Sequence, residues 1–450
     1  MINEIIDYLK NKKLVILGFG REGQATYKLI RKYLKDQEIY IRDKNENIKN
    51  NDLLINDKNV IFELGDNYLD NLDKFDLILK SPGIAFNTID ITNIKDKISS
   101  ELELLLKFYK GKIIAITGTK GKSTTSSLIY QMIKNNGYKC LLAGNIGTAV
   151  FEFIEELEDL DYLVLELGCH QLEFVTHSPE YSILLNIFEE HLDHYRNYDG
   201  YIEAKCNIFK HQNENDYFIY NYDNEIISEK VKKYNPVSHK YSISFNGNEN
   251  ATTYFKDNKV YYDNKEIYDA NCERKLLGMH NVNNIMFVLT LAKILNLDMN
   301  IVTDTVNNFE SLPHRMEYVG VFNGITYYND SISTIPASCI NALNSIKVNT
   351  LIIGGLDRGI DYSELINFIN NYNLDNLICI PDTGYKIADK ITNEHTNVYK
   401  EEDLLSAIKK AKEVTHEGQV CLMSPAAASY NTFKNFEERG DFFKEHVKND

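Results

Sequence analysis

The most constraining feature of the chain is a short glycine loop between an apolar run and a helical pattern. The loop, Thr117-Gly118-Thr119-Lys120-Gly121-Lys122-Ser123-Thr124, follows the run 113–116 and precedes a helix-like stretch over 126–134. Glycines let backbone N–H groups close around phosphate oxygens, and the N-terminus of the following helix favours negative charge. The pattern therefore predicts a phosphate-binding loop, with Lys122 on the terminal phosphates and the Ser123 hydroxyl on Mg²⁺.

The spacing inside this loop departs from the general rule. A common phosphate loop has four residues between its two glycines, whereas only Thr119 and Lys120 separate Gly118 from Gly121. A glycine-rich turn that binds nothing is the alternative interpretation. The strand and helix patterns on either side of the loop argue against that alternative.

The size and charge of the chain limit its architecture and its partners. At 450 residues it exceeds what one hydrophobic core usually supports, so two or three domains are expected. Its net charge of −16 argues against a nucleic-acid partner. The seven scattered cysteines contain no Cys-x-x-Cys pair, and neither a signal-peptide start nor a membrane-spanning apolar run is visible. These features predict a cytoplasmic protein with reduced thiols.

A short apolar strand followed by a glycine turn occurs three times, at residues 14–23, 113–121 and 351–359. Helical patterns lie between these strands, which is typical of buried parallel strands in α/β units. We therefore predict three α/β domains: a Rossmann-like domain over 1–100, a central P-loop ATPase-like domain with a mixed sheet over 101–311, and a second Rossmann-like domain over 312–450. Residues 213–275 alternate aromatic and polar residues and are predicted to form a β-rich excursion of the central domain.

The first glycine turn is close to a dinucleotide-binding fingerprint. It runs from Gly18 to Gly23, and Asp43 ends the next strand, where a ribose-binding acid would lie. A Rossmann-like domain that binds another nucleotide-linked molecule explains these residues as well as a dehydrogenase does. Ser81-Pro82-Gly83 adds a further turn at the same predicted sheet edge, with a plain structural turn as the alternative.

Three features of the middle segment accompany the phosphate loop. Glu166 ends an apolar strand, a position where nucleotide hydrolases carry a Mg²⁺-binding or water-orienting acid, and such an acid needs a cation or donors nearby. His191 lies in a cluster of acids and histidines that could also be a solvated turn. Lys205 is flanked by apolar residues in a helical pattern, although an ordinary surface lysine is the default interpretation.

Taken together, these motifs resemble the Mur ligase family over nearly the whole chain. The compact loop is the form which that family uses, and this accounts for the short glycine spacing. The motifs that follow in family order are Gly144-Asn145-Ile146-Gly147, Glu166, His191, Lys205, Gly278-Met279-His280-Asn281, Leu312-Pro313-His314-Arg315-Met316-Glu317 and Asn329-Asp330-Ser331. The C-terminal run 423–440 is similar to that of the members that add D-glutamate.

The resemblance implies an ATP-dependent ligase for an acid and an amino acid. Its substrates would be UDP-N-acetylmuramoyl-L-alanine and D-glutamate, joined through an acyl phosphate, and positioning with charge neutralisation would supply most of the rate. It also implies a monomer that needs neither nucleic acid nor membrane.

The resemblance further implies which residues form the site. Those expected at ATP are Gly118, Thr119, Lys120, Gly121, Lys122, Ser123, Thr124, Asn281, Asn284, His314, Arg315 and Asp330. Those expected at two Mg²⁺ ions are Ser123, Thr124, Glu166, His191 and Lys205. Those expected near the UDP-sugar are Arg21, Glu22, Asp43, Ser81 and Asn145, and those in the amino-acid pocket are Thr334, Arg358, Ser429 and Phe436. Lys122, His191 and Lys205 would be catalytic, with Lys205 carbamylated by CO₂, a reaction that requires the neutral amine.

The sequence departs from the family pattern at two places. Ile332 follows Asp330-Ser331 where lysine is frequent, which places more weight on Arg358 as the partner of the D-glutamate carboxylates. His170 stands where an aromatic residue is common, and we expect it to pack rather than to contact substrate.

Other functions explain less of the chain. An NAD-dependent oxidoreductase resting on the turn Gly18–Gly23 leaves the second loop unexplained. An inactive nucleotide-dependent scaffold is opposed by the joint presence of Lys122, Glu166, His191 and Lys205. Within the family, the alternatives are an amidase-coupled peptidoglycan-modifying relative and a folylpolyglutamate synthase, which would normally lack the first Rossmann-like domain.

Overall fold

The strands of the protein form three sheets. The computed structural model describes residues 1–145, 149–189, 194–195 and 197–449. The chain divides into two compact units, one made of Met1–Cys272 with Asn284–Val306 and the other of Glu273–Asn283 with Asn307–Asp450. The predicted α/β class is confirmed, and the predicted domain boundaries near residues 100 and 311 stay predictions.

The first sheet is a fully parallel, doubly wound sheet. Its strands are β1 (Leu14–Leu17), β2 (Ile39–Asp43), β3 (Val60–Leu64), β4 (Leu77–Lys80) and β5 (Ile98–Ser99), in the order β3-β2-β1-β4-β5. The accompanying helices are α1 (Ile2–Leu9), α2 (Arg21–Tyr33) and α3 (Glu101–Phe108). Because β1 lies at the centre of the sheet, all four of its residues are buried.

The second sheet is larger and mixed. Its strands are β6 (Lys112–Thr117), β7 (Cys140–Gly144), β8 (Tyr162–Glu166), β9 (Tyr181–Leu184), β10 (Tyr217–Asn221), β11 (His239–Ser244), β12 (Thr253–Lys256), β13 (Lys259–Tyr262) and β14 (Lys265–Asp269). They lie in the order β14-β13-β12-β11-β10-β9-β6-β8-β7, and only the pairs β12–β13 and β13–β14 are antiparallel among the strands described. The helices between residues 122 and 308 are α4 (Lys122–Asn135), α5 (Cys169–Leu172), α6 (Tyr198–Lys210), α7 (Glu225–Tyr234), α8 (Met279–Ile294) and α9 (Met299–Asn308).

Two elements of this part differ from their predicted extent. Helix α4 begins at Lys122 rather than at Ser126, so the residues Lys122, Ser123 and Thr124 form its first turn. The segment 213–275 is β-rich, as predicted, but α7 interrupts it after Asn224, whose side chain accepts a hydrogen bond from the Ile227 N–H at 3.2 Å. Asn224 therefore caps the N-terminus of α7, which the alternating pattern of the segment did not predict.

The third sheet is parallel apart from one hairpin. Its strands are β15 (Glu317–Phe322), β16 (Ile325–Asn329), β17 (Thr350–Gly354), β18 (Asn376–Ile380), β19 (Asn397–Lys400) and β20 (Val420–Met423). Their order is β15-β16-β20-β17-β18-β19, with β15 antiparallel to β16. The helices are α10 (Pro336–Ser345), α11 (Ser363–Asn371), α12 (Thr383–Ala388), α13 (Leu404–Val414) and α14 (Phe436–Lys448). In the part of the chain that the structure describes, no helix is long and apolar enough to cross a membrane.

Candidate active site

The predicted phosphate loop connects β6 to α4, and a single asparagine fixes it from the neighbouring strand end. The Asn186 carbonyl accepts a hydrogen bond from the Thr119 N–H at 2.9 Å. The Asn186 side chain accepts from the Lys120 N–H at 2.8 Å and donates to the Lys120 carbonyl at 3.0 Å. The sequence analysis did not predict a role for Asn186. The one indication was that an amide side chain stands in an otherwise apolar run just after β9.

Close packing explains both glycines of the loop. A Cβ atom at Gly118 would lie 2.9 Å from the Cβ of Leu185, and one at Gly121 would lie 2.6 Å from the Asn284 Oδ1. Asn284, which the resemblance assigns to ATP, is therefore in contact with the loop. Its contact with the nucleotide stays a prediction.

Two lysines converge on one carbonyl of the loop. The Lys122 Nζ donates to the Gly118 carbonyl at 2.9 Å and to the Thr119 carbonyl at 3.0 Å. The Lys205 Nζ, from α6, donates to the same Gly118 carbonyl at 2.8 Å, and the Lys205 residue is only 1% exposed. Tyr201 lies one turn earlier on α6, and its hydroxyl is 2.7 Å from the Thr119 Oγ1. Tyr201 was not predicted, although its i,i+4 spacing to Lys205 places both side chains on one helix face.

The carboxylate of Glu166 lies at the end of β8 and is 1% exposed. Its Oε1 accepts a hydrogen bond from the Asn145 Nδ2 at 2.8 Å, while its Oε2 is buried without a hydrogen-bond partner among the described residues. A buried carboxylate oxygen of this kind is a suitable ligand for a hard cation. The oxygen-bearing side chains of Glu166, Ser123 and Thr124 thus fit the expected Mg²⁺.

The other predicted metal ligands are Lys205, described above, and His191. His191 lies outside the described residues. Within residues 1–145, 149–189, 194–195 and 197–449, no three His, Cys, Asp or Glu side chains come together as a metal-binding group.

A cavity of about 530 Å³ connects the phosphate loop with the first sheet. Its lining includes all five residues assigned to the UDP-sugar and both convergent lysines, namely Arg21, Glu22, Asp43, Ser81, Asn145, Lys122 and Lys205. These residues follow the carboxyl ends of parallel strands or lie on helices beside them, which is where α/β proteins bind ligands. The structure thus brings these seven predicted residues to one place, while their individual roles stay predictions.

Two of the cavity residues also hold the first glycine turn in place. The Asp43 carboxylate accepts hydrogen bonds from the Phe19 N–H at 2.9 Å and the Asn45 N–H at 2.8 Å. The Ser81 hydroxyl donates to the Gly18 carbonyl at 2.6 Å. Both side chains therefore shape the turn whether or not they touch a ligand.

Glu22 and His170 connect the cavity to the segment after β8. The Gln171 Nε2 donates to the Glu22 Oε1 at 2.7 Å, and burial raises the pKa of Glu22 in spite of this hydrogen bond. The His170 ring stacks on the His194 ring with 3.8 Å between centroids, while the expectation that His170 does not contact substrate stays a prediction. His170 also lines the cavity, and Gln171 was not predicted.

The remaining predicted residues belong to the second compact unit. They are Asn281, His314, Arg315, Asp330, Thr334, Arg358, Ser429 and Phe436. Thr334, Arg358 and Ser429 follow the carboxyl ends of β16, β17 and β20, at the edge of the sheet where a ligand is expected. The Arg358 Nη2 donates to the Thr334 carbonyl at 3.1 Å, so two residues of the predicted amino-acid pocket are in contact.

Asp330, which follows β16, and His314, which precedes β15, lie in a buried polar cluster. The Asp330 carboxylate accepts from the Met316 N–H at 3.0 Å and the Ser424 hydroxyl at 2.7 Å, and burial raises the pKa of Asp330 to about 6. The Asn329 Nδ2 donates to the His314 Nδ1 at 3.0 Å, and burial lowers the pKa of His314. The His314 ring is 6.1 Å from the ring of Phe436.

Sequence reasoning missed the buried cation of this cluster, Arg439. Its Nε and Nη2 donate to the hydroxyl and carbonyl of Ser331 at 3.0 and 2.8 Å, and its Nη1 donates to the Ala427 carbonyl at 3.0 Å. Burial lowers the pKa of Arg439 to about 10. Arg439 thereby ties the turn after β16 to the segment after β20, which carries Ser429.

Known proteins resemble this chain along its whole length. The family model "Mur ligase middle domain" matches residues 116–292, and the model "Mur ligase, glutamate ligase domain" matches residues 314–427. A protein of Clostridium tetani, named UDP-N-acetylmuramoylalanine–D-glutamate ligase, is 34% identical over 99% of this chain and 99% of its own length. The chain belongs to the Mur ligase family.

Further relatives carry the same name, and solved structures share the fold. The ligases of that name from Acetivibrio thermocellus and Clostridium acetobutylicum are each 34% identical, over 99% of this chain and 98% of their own length. The structure of UDP-N-acetylmuramate-alanine ligase from Thermotoga maritima has a TM-score of 0.60 at 19% identity, covering 97% of this chain and 99% of that one. MurF ligase from Thermotoga maritima, solved in complex with ADP, has a TM-score of 0.59 at 17% identity and covers 97% and 95%.

Proposed function

We propose that this protein ligates D-glutamate to UDP-N-acetylmuramoyl-L-alanine at the expense of ATP, in the synthesis of a peptidoglycan precursor. The full-length relatives of that printed name support the choice of substrates. The observation that carries the chemistry is the shared cavity, because the loop lysine and the residues assigned to the UDP-sugar line the same space.

The reaction is a transfer of the terminal phosphoryl group followed by an acyl transfer. The L-alanine carboxylate attacks the terminal phosphorus of ATP, which gives an acyl phosphate and ADP. The amine of D-glutamate then attacks the acyl carbon, phosphate leaves, and the nitrogen loses a proton as the amide forms. A carboxylate alone is a poor acylating agent, so the first step supplies the leaving group.

The residues of the loop perform the first step by positioning and charge. Lys122 begins α4, so its ammonium group and the N-terminal N–H groups of the helix are available to the same phosphates of bound ATP. The carbonyls that now accept from Lys122 are exchanged for phosphate oxygens when the nucleotide binds. Lys205 donates to the same Gly118 carbonyl as Lys122, and this shared contact supports a role for Lys205 where the substrate carboxylate meets the phosphate.

We further propose that Ser123, Thr124, Glu166, His191 and a carbamylated Lys205 hold two Mg²⁺ ions. When bound, the ions neutralise charge on the phosphates and polarise the phosphoryl oxygens. The buried position of Lys205 and the unpaired Glu166 Oε2 within the described residues support this assignment. We place the enzyme in the cytoplasm and expect it to act as a monomer.

The test is phosphate release by purified protein with ATP, Mg²⁺ and UDP-N-acetylmuramoyl-L-alanine. D-Glutamate should give turnover, while L-glutamate, L-alanine and the reaction without amino acid should give none. Lys122→Ala is the control variant, because it removes the loop cation and should abolish turnover. Turnover with another amino acid but not with D-glutamate would refute the substrate assignment.

A further inference from the structure

A buried charged junction lies behind the wall of the proposed substrate cavity. The Glu173 Oε2 accepts a hydrogen bond from the Lys80 Nζ at 3.1 Å and lies 3.2 Å from the His194 Nε2. The side chains of Lys80, His194 and Glu173 are 3%, 7% and 16% exposed. Lys80 is the last residue of β4, His194 lies in the segment after β9, and Glu173 immediately follows α5.

Each member of this junction adjoins a different part of the cavity wall. Lys80 immediately precedes Ser81, which lines the cavity and anchors the Gly18 turn. Glu173 lies at the end of the segment that contributes His170 and Gln171 to the wall. The ring of His194 stacks on the ring of His170, which belongs to the same segment.

The junction also reaches the helix that carries Lys205. The Asn207 Nδ2, on α6, donates to the carbonyls of Leu172 at 2.9 Å and Glu173 at 3.3 Å. One carboxylate thus lies where the first sheet, the segment after β8 and α6 meet. None of the three charged side chains lines this cavity, so direct contact with a ligand there is made by the wall residues.

The electrostatics favour an ionised carboxylate at this place. Burial would raise the pKa of Glu173, but the hydrogen bond to His194 and the charge of Lys80 outweigh it, and the pKa is lowered. Burial lowers the pKa of Lys80, although Glu173 and Glu22 oppose that change. Removing one charge of a buried pair leaves the other uncompensated, and such a change is usually much more disruptive than the loss of a surface pair.

We infer that Lys80, Glu173 and His194 are positioning residues that hold the Ser81 turn and the 168–172 segment at the spacing the UDP-linked substrate requires. This inference rests on the proposed function, because it concerns the same cavity. Loss of the junction should weaken binding of the UDP-linked substrate more than binding of ATP, since the loop is fixed separately by Asn186.

The test compares Glu173→Gln and Lys80→Met with Lys80→Arg, which keeps a cation beside Glu173. The matched control is Asp57→Asn, which breaks the ion pair with Arg31 in the same compact unit, away from the cavity lining. The KM values for UDP-N-acetylmuramoyl-L-alanine and for ATP are measured for each variant. Hydrogen exchange is followed at the amides of residues 81, 83, 84 and 168–172.

We expect Glu173→Gln and Lys80→Met to raise the KM for the UDP-linked substrate at least tenfold, with the KM for ATP changed less than threefold. Their amides at 81, 83, 84 and 168–172 should exchange at least tenfold faster, whereas Lys80→Arg and Asp57→Asn should stay within threefold of the wild type in both measurements. Equal rises in the two KM values, or a Lys80→Arg variant as impaired as Lys80→Met, would overturn the inference.

The outcome for the wild type separates this inference from the proposed function. If the wild-type protein releases no phosphate with D-glutamate, the proposed function fails. The junction is then judged by hydrogen exchange alone: faster exchange confined to the two wall segments supports it, and unchanged exchange in Glu173→Gln overturns it.

Discussion

Replacement of Gly144 by alanine should damage both stability and catalysis, because this glycine lies directly against Glu166. Gly144 ends β7 with φ +101, and a Cβ atom built on it would lie 2.3 Å from the carbonyl oxygen of Glu166. That carbonyl also accepts the Asn145 N–H at 2.8 Å. The clash therefore involves the backbone of two paired strands, and no flexible side chain can relieve it.

The expected loss in the free energy of unfolding of Gly144→Ala has two parts. A left-handed φ costs an L-residue about 1–2 kcal/mol. The two atoms must separate by about 1 Å to reach ordinary van der Waals contact, and overpacking of this kind adds about 1–3 kcal/mol. The free energy of unfolding should fall by about 2–5 kcal/mol in total. A displacement of Glu166 by that distance should lower kcat on the order of 100-fold.

Gly137 provides the matched control, since its φ is +87 and a Cβ atom on it would meet nothing within 4 Å. Gly137→Ala should therefore cost only the conformational part, about 1–2 kcal/mol, and leave kcat within twofold of the wild type. Urea unfolding followed by circular dichroism and phosphate-release kinetics measure the two effects. Equal urea midpoints for the two variants, or unchanged kcat in Gly144→Ala, would refute the steric reasoning.

Three further predictions concern α6 and the metal site. Lys205→Ala should lose phosphate release and partly regain it with added short carboxylic acids; an active variant, or one without rescue, contradicts the carbamate assignment. Asn145→Ala should raise the Mg²⁺ concentration for half-maximal activity about 10-fold or more, because it removes the donor to the Glu166 carboxylate; an unchanged Mg²⁺ titration would count against it. Burial would raise the pKa of Glu203, but hydrogen bonds from Lys230, Tyr234 and Lys210 outweigh it and lower that pKa from 4.5 to about 2. A lowered carboxyl pKa stabilises the fold above the ordinary value and loses that effect as the pH falls between 4.5 and 2. Glu203→Gln should thus be less stable than the wild type by about 1 kcal/mol at pH 7, after allowance for solvent screening, and urea unfolding at pH 7 and at pH 2 should show that difference disappearing in acid.

Short-range patterns in the sequence were sufficient to predict the strands and the helix that carry the site. The run before Gly118 predicted a buried strand, and the glycines with Lys122 predicted the turn into a helix. The apolar run before Glu166 predicted that this acid ends a strand. A buried acid was expected to need a cation or hydrogen-bond donors, and the Asn145 side chain is such a donor. These predictions succeeded because strand burial and glycine turns depend on neighbouring residues.

The contacts that fix the site depend on distant parts of the chain, and the sequence pattern did not reveal them. Asn186 fastens the loop across 66 residues, and Arg439 reaches Ser331 across 108 residues. Asn186 lies in an apolar run and Arg439 lies within the C-terminal run 423–440, and neither pattern shows that the residue satisfies backbone groups exposed by a turn elsewhere. Helix α7 was missed for a local reason, since aromatic and aliphatic residues around Asn224 fit a strand pattern as well as a helix pattern.

Because the cavity lies between two sheets, its walls form at different times while the chain is being synthesised. The ribosome completes the Ser81 turn about 120 residues before it reaches Lys205, which is roughly 10 seconds at typical synthesis rates. During that interval the first sheet can form, but the opposite wall of the cavity is incomplete until α6 supplies Tyr201 and Lys205. A nascent chain that ends before α6 should therefore have a folded first sheet and an incomplete binding site, so substrate binding should not assist the folding of the first sheet until α6 has been synthesised.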